Sequence, residues 1–495
     1  MSLEEIFRSF RTRRWWSIRQ LYLVLFIIQI NNASKVTYLY PYLKVLNPEV
    51  SDVFYSWVIG VFPIGIVLSS PIFGFWYNRV STRQPICFNL MLLTLCNLLY
   101  SCCNLFPPNL AIWMILISRF LMGISASSKA VINSYITSAT TLQERSVILS
   151  NLFQTIPISF VLGPIIGLLC QPLGYPGYII PYINVSFNLY TAPSFIIALL
   201  AFINFVLMFW FKEFIVNPLT SRKKCNNCYA KSQEFDPLLS SETSIEEIHT
   251  NNKLPNAPYD KLPLFSLGIS TFVSHLLVAI TDALISPYSM DEFAWTKEQA
   301  ISYNNIILII SGVASYVGII FMKRMLKCMS ERMVYLIAFL VLSLSFFIYI
   351  PWPGSIPEPI HQMGYNHSLE IVGCDYFRQS WCLTVPKLNV VQFFLAPVIF
   401  FLAFPIIYAI TIILASKIIG PHPPGLILGI IGSSASLGRG LGPLILVPLY
   451  FRYGPQVTYA SMDGIVIAII LLTLLTYNRL VPYGSPRKYF EYFFK

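Results

Sequence analysis

What this chain lacks is charge. Only 11% of its 495 residues are Asp, Glu, Lys or Arg, while 56% are hydrophobic, and soluble domains carry roughly 25% charged residues. A water-facing globular surface cannot be built from so little charge, so a soluble fold is excluded. The sequence also has no nucleotide-binding loop, no metal-ligand constellation and no catalytic triad. Enzymatic activity is therefore not expected, and no cofactor or metal is implied. No small-residue cleavage site precedes the first apolar run, so a cleavable signal peptide is not expected and that run should serve as the anchor.

What is present is a set of twelve apolar stretches, near 18–42, 53–77, 85–104, 110–136, 147–170, 189–211, 264–285, 301–322, 333–350, 389–414, 425–450 and 457–478. Each is roughly 17 to 27 residues, enough to cross about 30 Å of hydrocarbon at 1.5 Å per residue. Continuous apolarity, rather than a two-residue alternation, selects helices over barrel strands, because a helix satisfies its backbone amides within its own segment. The expected fold is thus an all-α polytopic membrane protein of twelve transmembrane helices. Its parts are an N-terminal segment 1–17, a six-helix bundle 18–211, an unfolded polar linker 212–263, a second bundle 264–478 with a long loop 351–388, and a tail 479–495. The lipid bilayer is its solvent.

The net charge of +11 follows from orientation. With the termini and even-numbered loops assigned to the cytosol, 24 Lys and Arg fall on that side, including Arg8, Arg11, Arg13, Arg14 and Arg19. Only Lys44, Lys297, Arg378, Lys387 and Arg452 fall on the other, and basic residues flanking spans are retained in the cytosol. A nucleic-acid patch is not needed to explain the charge, and no nucleic-acid partner is expected. Cys374 and Cys382 share the long non-cytosolic loop, where a disulfide is expected. Asn184 and Asn366 head N-glycosylation sequons on the same side, whereas the match at Asn32 lies inside the first span and reads as chance. Cys225 and Cys228 form a lone CxxC in the linker, read as unmetallated thiols rather than zinc ligands. Glu234 with Leu238 and Leu239 fits an acidic dileucine signal of the kind read by clathrin-adaptor sorting machinery, which would direct the protein to endosomes or lysosomes.

The fifth span contains Gly163-Pro164, and the eleventh, its counterpart six spans later, contains Gly442-Pro443. Matched Gly-Pro steps indicate two parallel six-helix repeats. Gly permits close helix approach and Pro removes a backbone hydrogen bond, so these positions are candidate hinges, or static kinks that serve packing alone. Gly74, Asn78 and Arg79 sit in the run Gly74-Phe75-Trp76-Tyr77-Asn78-Arg79-Val80-Ser81-Thr82-Arg83 after the second span. That run resembles the short cytosolic motif of the major facilitator superfamily, with Asn78 in place of the usual acid and Ser81 in place of the second Gly. Arg119 with Gly123 resembles the superfamily's fourth-span motif and Gly163-Pro164 its fifth. Further matches, among them Ser138 to Arg145, Met290 to Ala300, Ser416 to Pro421 and Arg439 to Pro443, resemble an endolysosomal branch of the superfamily. That branch is linked to neuronal ceroid lipofuscinosis and described as a chloride conductor. The resemblance implies two rocking bundles, an endolysosomal membrane and chloride as the passenger.

Ionisable groups inside spans cost roughly 2.5–3.5 kcal/mol at a helix centre, so each needs a reason. Arg439 stands near the middle of the eleventh span, Arg119 about a turn from the centre of the fourth, and Lys35 similarly in the first. Lys129 lies closer to the cytosolic end and could instead snorkel to the interface. Asp282 is expected near the non-cytosolic end of the seventh span, two turns from His275 on the same face. The superfamily fold would bring Lys35, Arg119, Lys129, His275 and Asp282 to one aqueous path. A positive lining favours a small anion, chloride first. The competing structural reading has Arg119 or Arg439 pinned by backbone carbonyls or by Asp282. His275 and Asp282 are candidates for proton coupling, although a lone intramembrane histidine more commonly packs. The rival functions are a proton-coupled carrier of an organic solute and a non-transporting scaffold or sensor. The sequence leaves the oligomeric state open.

Overall fold

The computed structural model describes residues 3–140, 142–181, 185–213, 260–352, 354–359, 361–365, 368–419 and 425–482. The first half comprises α1 (Leu3–Ala33), α2 (Leu39–Leu46), α3 (Asp52–Arg79), α4 (Arg83–Ser101), α5 (Pro108–Ala126), α6 (Ser128–Ala139), α7 (Leu142–Cys170) and α8 (Ala192–Leu207). The second comprises α9 (Lys261–Phe293), α10 (Lys297–Cys328), α11 (Glu331–Tyr349), α12 (Val390–Ile419) and α13 (Gly425–Thr476). Two antiparallel hairpins, β1 (Tyr178–Ile180) with β2 (Val185–Phe187) and β3 (His361–Tyr365) with β4 (Ser368–Val372), occupy loops on one face.

Among the described residues ten helical segments, one of them α5 continued by α6, are long and apolar enough to cross a membrane. The longest of these is two spans: α13 turns at Gly454, whose φ of 84° is left-handed and costs a glycine little. A Cβ there would also lie 2.8 Å from the Trp381 ring. With α1 crossing as well, the bundle has twelve spans. The apolarity of α1 is diluted by Gln20, Gln29, Asn31 and Asn32, of which Gln29 and Asn32 line the central cavity. Large apolar side chains such as Trp113, Leu199 and Leu475 are exposed on the outside of the bundle. In water such a surface would drive aggregation; in hydrocarbon it is the solvated face.

Helix ends follow local chemistry. Ser51 caps α3 by accepting from the backbone N–H of Phe54, Asp260 caps α9 by accepting from that of Leu262, and Thr296 with Gln299 forms a reciprocal capping box on α10. Within the first half α1 packs on α7, α3 on α5, and α4 on α5 and α8; within the second α9 packs on α13, and α12 on α10 and α11. The halves meet along α3 with α13 and along α7 with α10. This is the repeat relation that the paired Gly-Pro steps predict, since those contacts join the second span to the eleventh and the fifth to the eighth.

The helices do not stop at the ends of the apolar stretches. The segment 1–17 is helical from Leu3, because nothing in it breaks the helix that continues into the first span. The first span itself is broken: residues 34–38 are turns, in which the Lys35 amide bonds Asn32 at 3.2 Å and the Val36 amide bonds Ala33 at 3.4 Å, three residues back. The fourth span tightens at Ser127 between α5 and α6, where the Ser125, Ser127 and Ser128 hydroxyls each donate to a carbonyl three residues earlier. The seventh span runs on to Phe293 rather than ending at 285. Cys374 and Cys382 are disulfide-bonded, with Cα atoms 6.0 Å apart. Asn184, Asn366, Glu234, Leu238, Leu239 and the linker residues 214–259, with Cys225 and Cys228, lie outside the described residues.

The near face of the bundle is the one that carries the described residues flanking the linker, Lys212 and Asp260. There the Ser17 hydroxyl donates to the Lys212 carbonyl at 2.8 Å, and Arg479 approaches Asp260 at 3.7 Å. The hairpins and the disulfide lie on the opposite, far face.

Candidate functional site

Between the halves lies a cavity of about 610 Å³, lined by Lys35, Arg119, Lys129, His275, Asp282 and Arg439 together with apolar residues of both halves. All six ionisable positions singled out within the spans therefore converge on one space. Four cations face one carboxylate among its described lining residues. The lining reaches Ser70, Asn133 and Gly429 toward the near face. Bonds between the halves cluster on the far side. Tyr55 donates to the Ala283 carbonyl at 2.6 Å, Ser286 to the Thr37 carbonyl at 2.7 Å, and Arg378 pairs with Asp52 at 3.1 Å. The cavity is thus stitched shut on the far face.

Each cation is held differently. Lys35, 1% exposed, sits in the break of the first span. Its Nζ donates to Asn31 Oδ1 at 2.7 Å and Asn97 Oδ1 at 2.9 Å, and lies 5.4 Å from the Tyr100 ring centre. A buried ammonium needs oxygen acceptors or a π face to offset lost hydration, and here neutral groups supply both. Arg119 is 5% exposed; its guanidinium stacks 4.9 Å over Phe62, while Nε and Nη1 are buried without a hydrogen-bond partner. Donors left open in this way await an acceptor. Lys129 stands near the near-face end of the cavity, its Nζ 5.9 Å from the Tyr408 ring.

Arg439 differs again, because its Nη2 pairs with Asp282 Oδ2 at 3.3 Å. Of the two readings of Arg439, the pinning one describes this geometry, and Lys35 bonds Asn31 and Asn97 rather than Asp282. Asp282 also lies farther from the helix end than expected, since α9 extends well beyond it. The His275 Nδ1–H donates to the Thr271 carbonyl at 2.9 Å. Its ring is wedged against Phe404 and Tyr408, each 5.3 Å between centres, which is the packing role.

The candidate hinges divide. A Cβ at Gly163 would lie 2.8 Å from both Ala33 and the Ser34 nitrogen, so this glycine lets α7 press against the broken first span beside Lys35. One at Gly442 would lie 2.7 Å from the Leu276 carbonyl on α9. Pro164 and Pro443 lie within α7 and α13. Gly74 has open space around it, and Arg79 stacks 4.2 Å over Phe75. The Asn78 side chain is outside the described residues, but in the loop beyond it the Thr82 amide donates to the Glu213 carboxylate. Sequence reasoning missed Asn31, Asn97, Phe62 and Tyr408. The spacing of Asn31 four residues before Lys35 was the available signal, since i and i+4 share a helix face.

Two six-helix halves around a charged cavity closed on one face define a transporter-type membrane bundle. The family model of the Major Facilitator Superfamily matches residues 21–227. Major facilitator superfamily domain-containing protein 8 of Xenopus laevis is 31% identical over 95% of this chain and 93% of that protein. Among solved structures, the human organic anion transporter MFSD10 (TETRAN) superposes with a TM-score of 0.59 at 16% identity, covering 93% of this chain and 99% of that one. The xylose transporter XylE from E. coli, in a partially occluded inward-open conformation, gives 0.63 at 11% identity over 93% and 98%. The chain belongs to the major facilitator superfamily, in the family of domain-containing protein 8, and superfamily members are transporters rather than enzymes.

Proposed function

We propose that this protein moves a small anion, chloride foremost, across the endolysosomal membrane by alternating exposure of its central cavity. The observation that carries the reading is Arg119: buried, beside the cavity, paired with no carboxylate among the described residues and with two donors unfilled. Lys35 and Lys129 add positive charge along the same wall, lowering the energy of an anion and raising that of a cation. The near face is taken as cytosolic because the basic flanks lie there, and the dileucine signal of the linker supports the compartment. Asn184 and Asn366 would then carry glycans on the lumenal side.

The volume of the cavity favours a second reading, an organic anion. Pockets of about 300–1,000 Å³ accommodate drug-sized ligands, and this one falls within that range. Purified protein in liposomes loaded with a halide-quenched dye separates the two. Chloride entry without a pH gradient supports the first reading. Chloride silence with counterflow of a labelled organic anion supports the second. If neither moves, transport of anions is refuted and the scaffold reading gains.

A further inference from the structure

At the far-face end of α9 two adjacent carboxylates, Asp291 and Glu292, are buried at 8% and 1% exposure, and the cavity does not use them. The Tyr450 hydroxyl of α13 donates to Asp291 Oδ2 at 3.0 Å. The backbone N–H of Leu388, just ahead of α12, donates to Glu292 Oε2 at 2.8 Å. The pair thus ties α9 to α13 and to the loop that carries the disulfide. Arg378 of that loop reaches across to the first half, bonding Asp52 at 3.1 Å and the Val50 carbonyl at 3.3 Å. The carboxylates therefore brace the elements that close the far face.

Their surroundings leave one oxygen without a partner. Glu292 Oε1 is buried with no hydrogen bond, and so is the hydroxyl of Tyr288 one turn earlier. Tyr288 packs against Tyr450 and Tyr459, 5.9 and 5.4 Å between ring centres, and Tyr459 stacks on Tyr349 at 4.6 Å. Lys387 faces Glu292 from the loop, while Asp52 of α3, Lys44 of α2, Tyr40 and Gln379 face Asp291. Arg378 is engaged by Asp52, and Lys44 donates to the Val50 carbonyl at 3.0 Å. A charge on Glu292 would thus leave Oε1 buried without a hydrogen bond, among aromatic side chains and next to a second carboxylate.

We propose that Glu292, with Asp291, is a proton-binding site separate from the central cavity, whose proton-bound form holds the far gate closed. The proton adds to Glu292 Oε1 from far-face solvent and returns there when the gate parts and water reaches the carboxylate. Since the closed state binds the proton and the open state releases it, acid on the far face favours closure and its removal favours opening. The gate is read independently of what the cavity carries, so failure of the anion reading leaves this proposal standing, and the reverse holds too.

The test uses the full chain in vesicles with the far face outward, an Ala279→Cys variant placing a thiol in the cavity, and an impermeant methanethiosulfonate. Its labelling rate is taken above that of the parent chain. At about pH 7.5 the native pair is expected to label about tenfold faster than Glu292→Gln, which mimics the protonated group, and at about pH 5 the two rates converge. Equal labelling from the near face shows that both fold. Should Glu292→Gln fail that control, Asp291→Asn, expected to slow far-face labelling about threefold at the higher pH, decides in the same way. Equal native and variant rates at both pH values, or a pH response of the far-face rate relative to the near-face rate that survives in the variant, overturns the proposal.

Discussion

The two halves of the cavity hold their cations by different means. In the first half Lys35 and Arg119 pair with no carboxylate among the described residues. Lys35 is held by two asparagines and a tyrosine ring, and Arg119 rests on Phe62 with donors unfilled. In the second half Arg439 already has its anion, Asp282. A charge that is internally neutralised costs the fold little but offers a passenger little; one that is left open does the reverse. In the second half the pair joins α9 to α13; under the proposed function, solute contact would fall to the first half.

Breaking the ion pair is the most disruptive way to test this. Asp282→Asn or Arg439→Gln alone is expected to lower stability by about 2–3 kcal/mol, toward the low end for pairs of this kind because both groups border a wet cavity. Combining the two should restore most of the loss, read as the apparent melting temperature in detergent. If the double variant is no more stable than either single one, the pair is not a brace. Next in size, Asn97→Leu removes one acceptor from Lys35 and should cost about 1–3 kcal/mol. An unchanged melting temperature would mean that Asn31 suffices.

Arg119→Gln should lower anion flux about tenfold, the equivalent of about 1.4 kcal/mol, with melting preserved. A loss of folding instead would move Arg119 into the same structural role as Arg439. Lys129→Gln, at the mouth of the cavity where its charge is partly hydrated, is expected to change flux only about twofold and more at low ionic strength than at high. A salt-independent change would place it deeper than its geometry suggests.

Much of this architecture is legible in the amino-acid order because hydrocarbon is an unforgiving solvent. Apolar length marks the spans, and scarcity of charge makes Lys35, Arg119, Lys129 and Arg439 conspicuous. Hydropathy reads contact with lipid, however, and not contact with protein. It therefore ended the seventh span at 285, whereas α9 continues to Phe293 under the cover of α13 and the disulfide loop, carrying Asp291 and Glu292 with it. The break at residues 34–38 went unread because no glycine or proline stands there. Its marks were the polar Gln29, Asn31 and Asn32, which dilute the span. Which acid meets which base is set by tertiary packing: Asp282 and Arg439 come from helices 157 residues apart in sequence, and nothing local encodes that meeting. Asn97 escaped notice because it is neutral, although it is fully buried.

The most direct measurement places both halves in one assay. Anion flux into liposomes is compared for the native chain, Arg119→Gln, and the combined Asp282→Asn and Arg439→Gln variant. The account predicts that the combined variant retains at least about half of native flux while Arg119→Gln falls about tenfold. The reverse order, or native flux in Arg119→Gln, would contradict it.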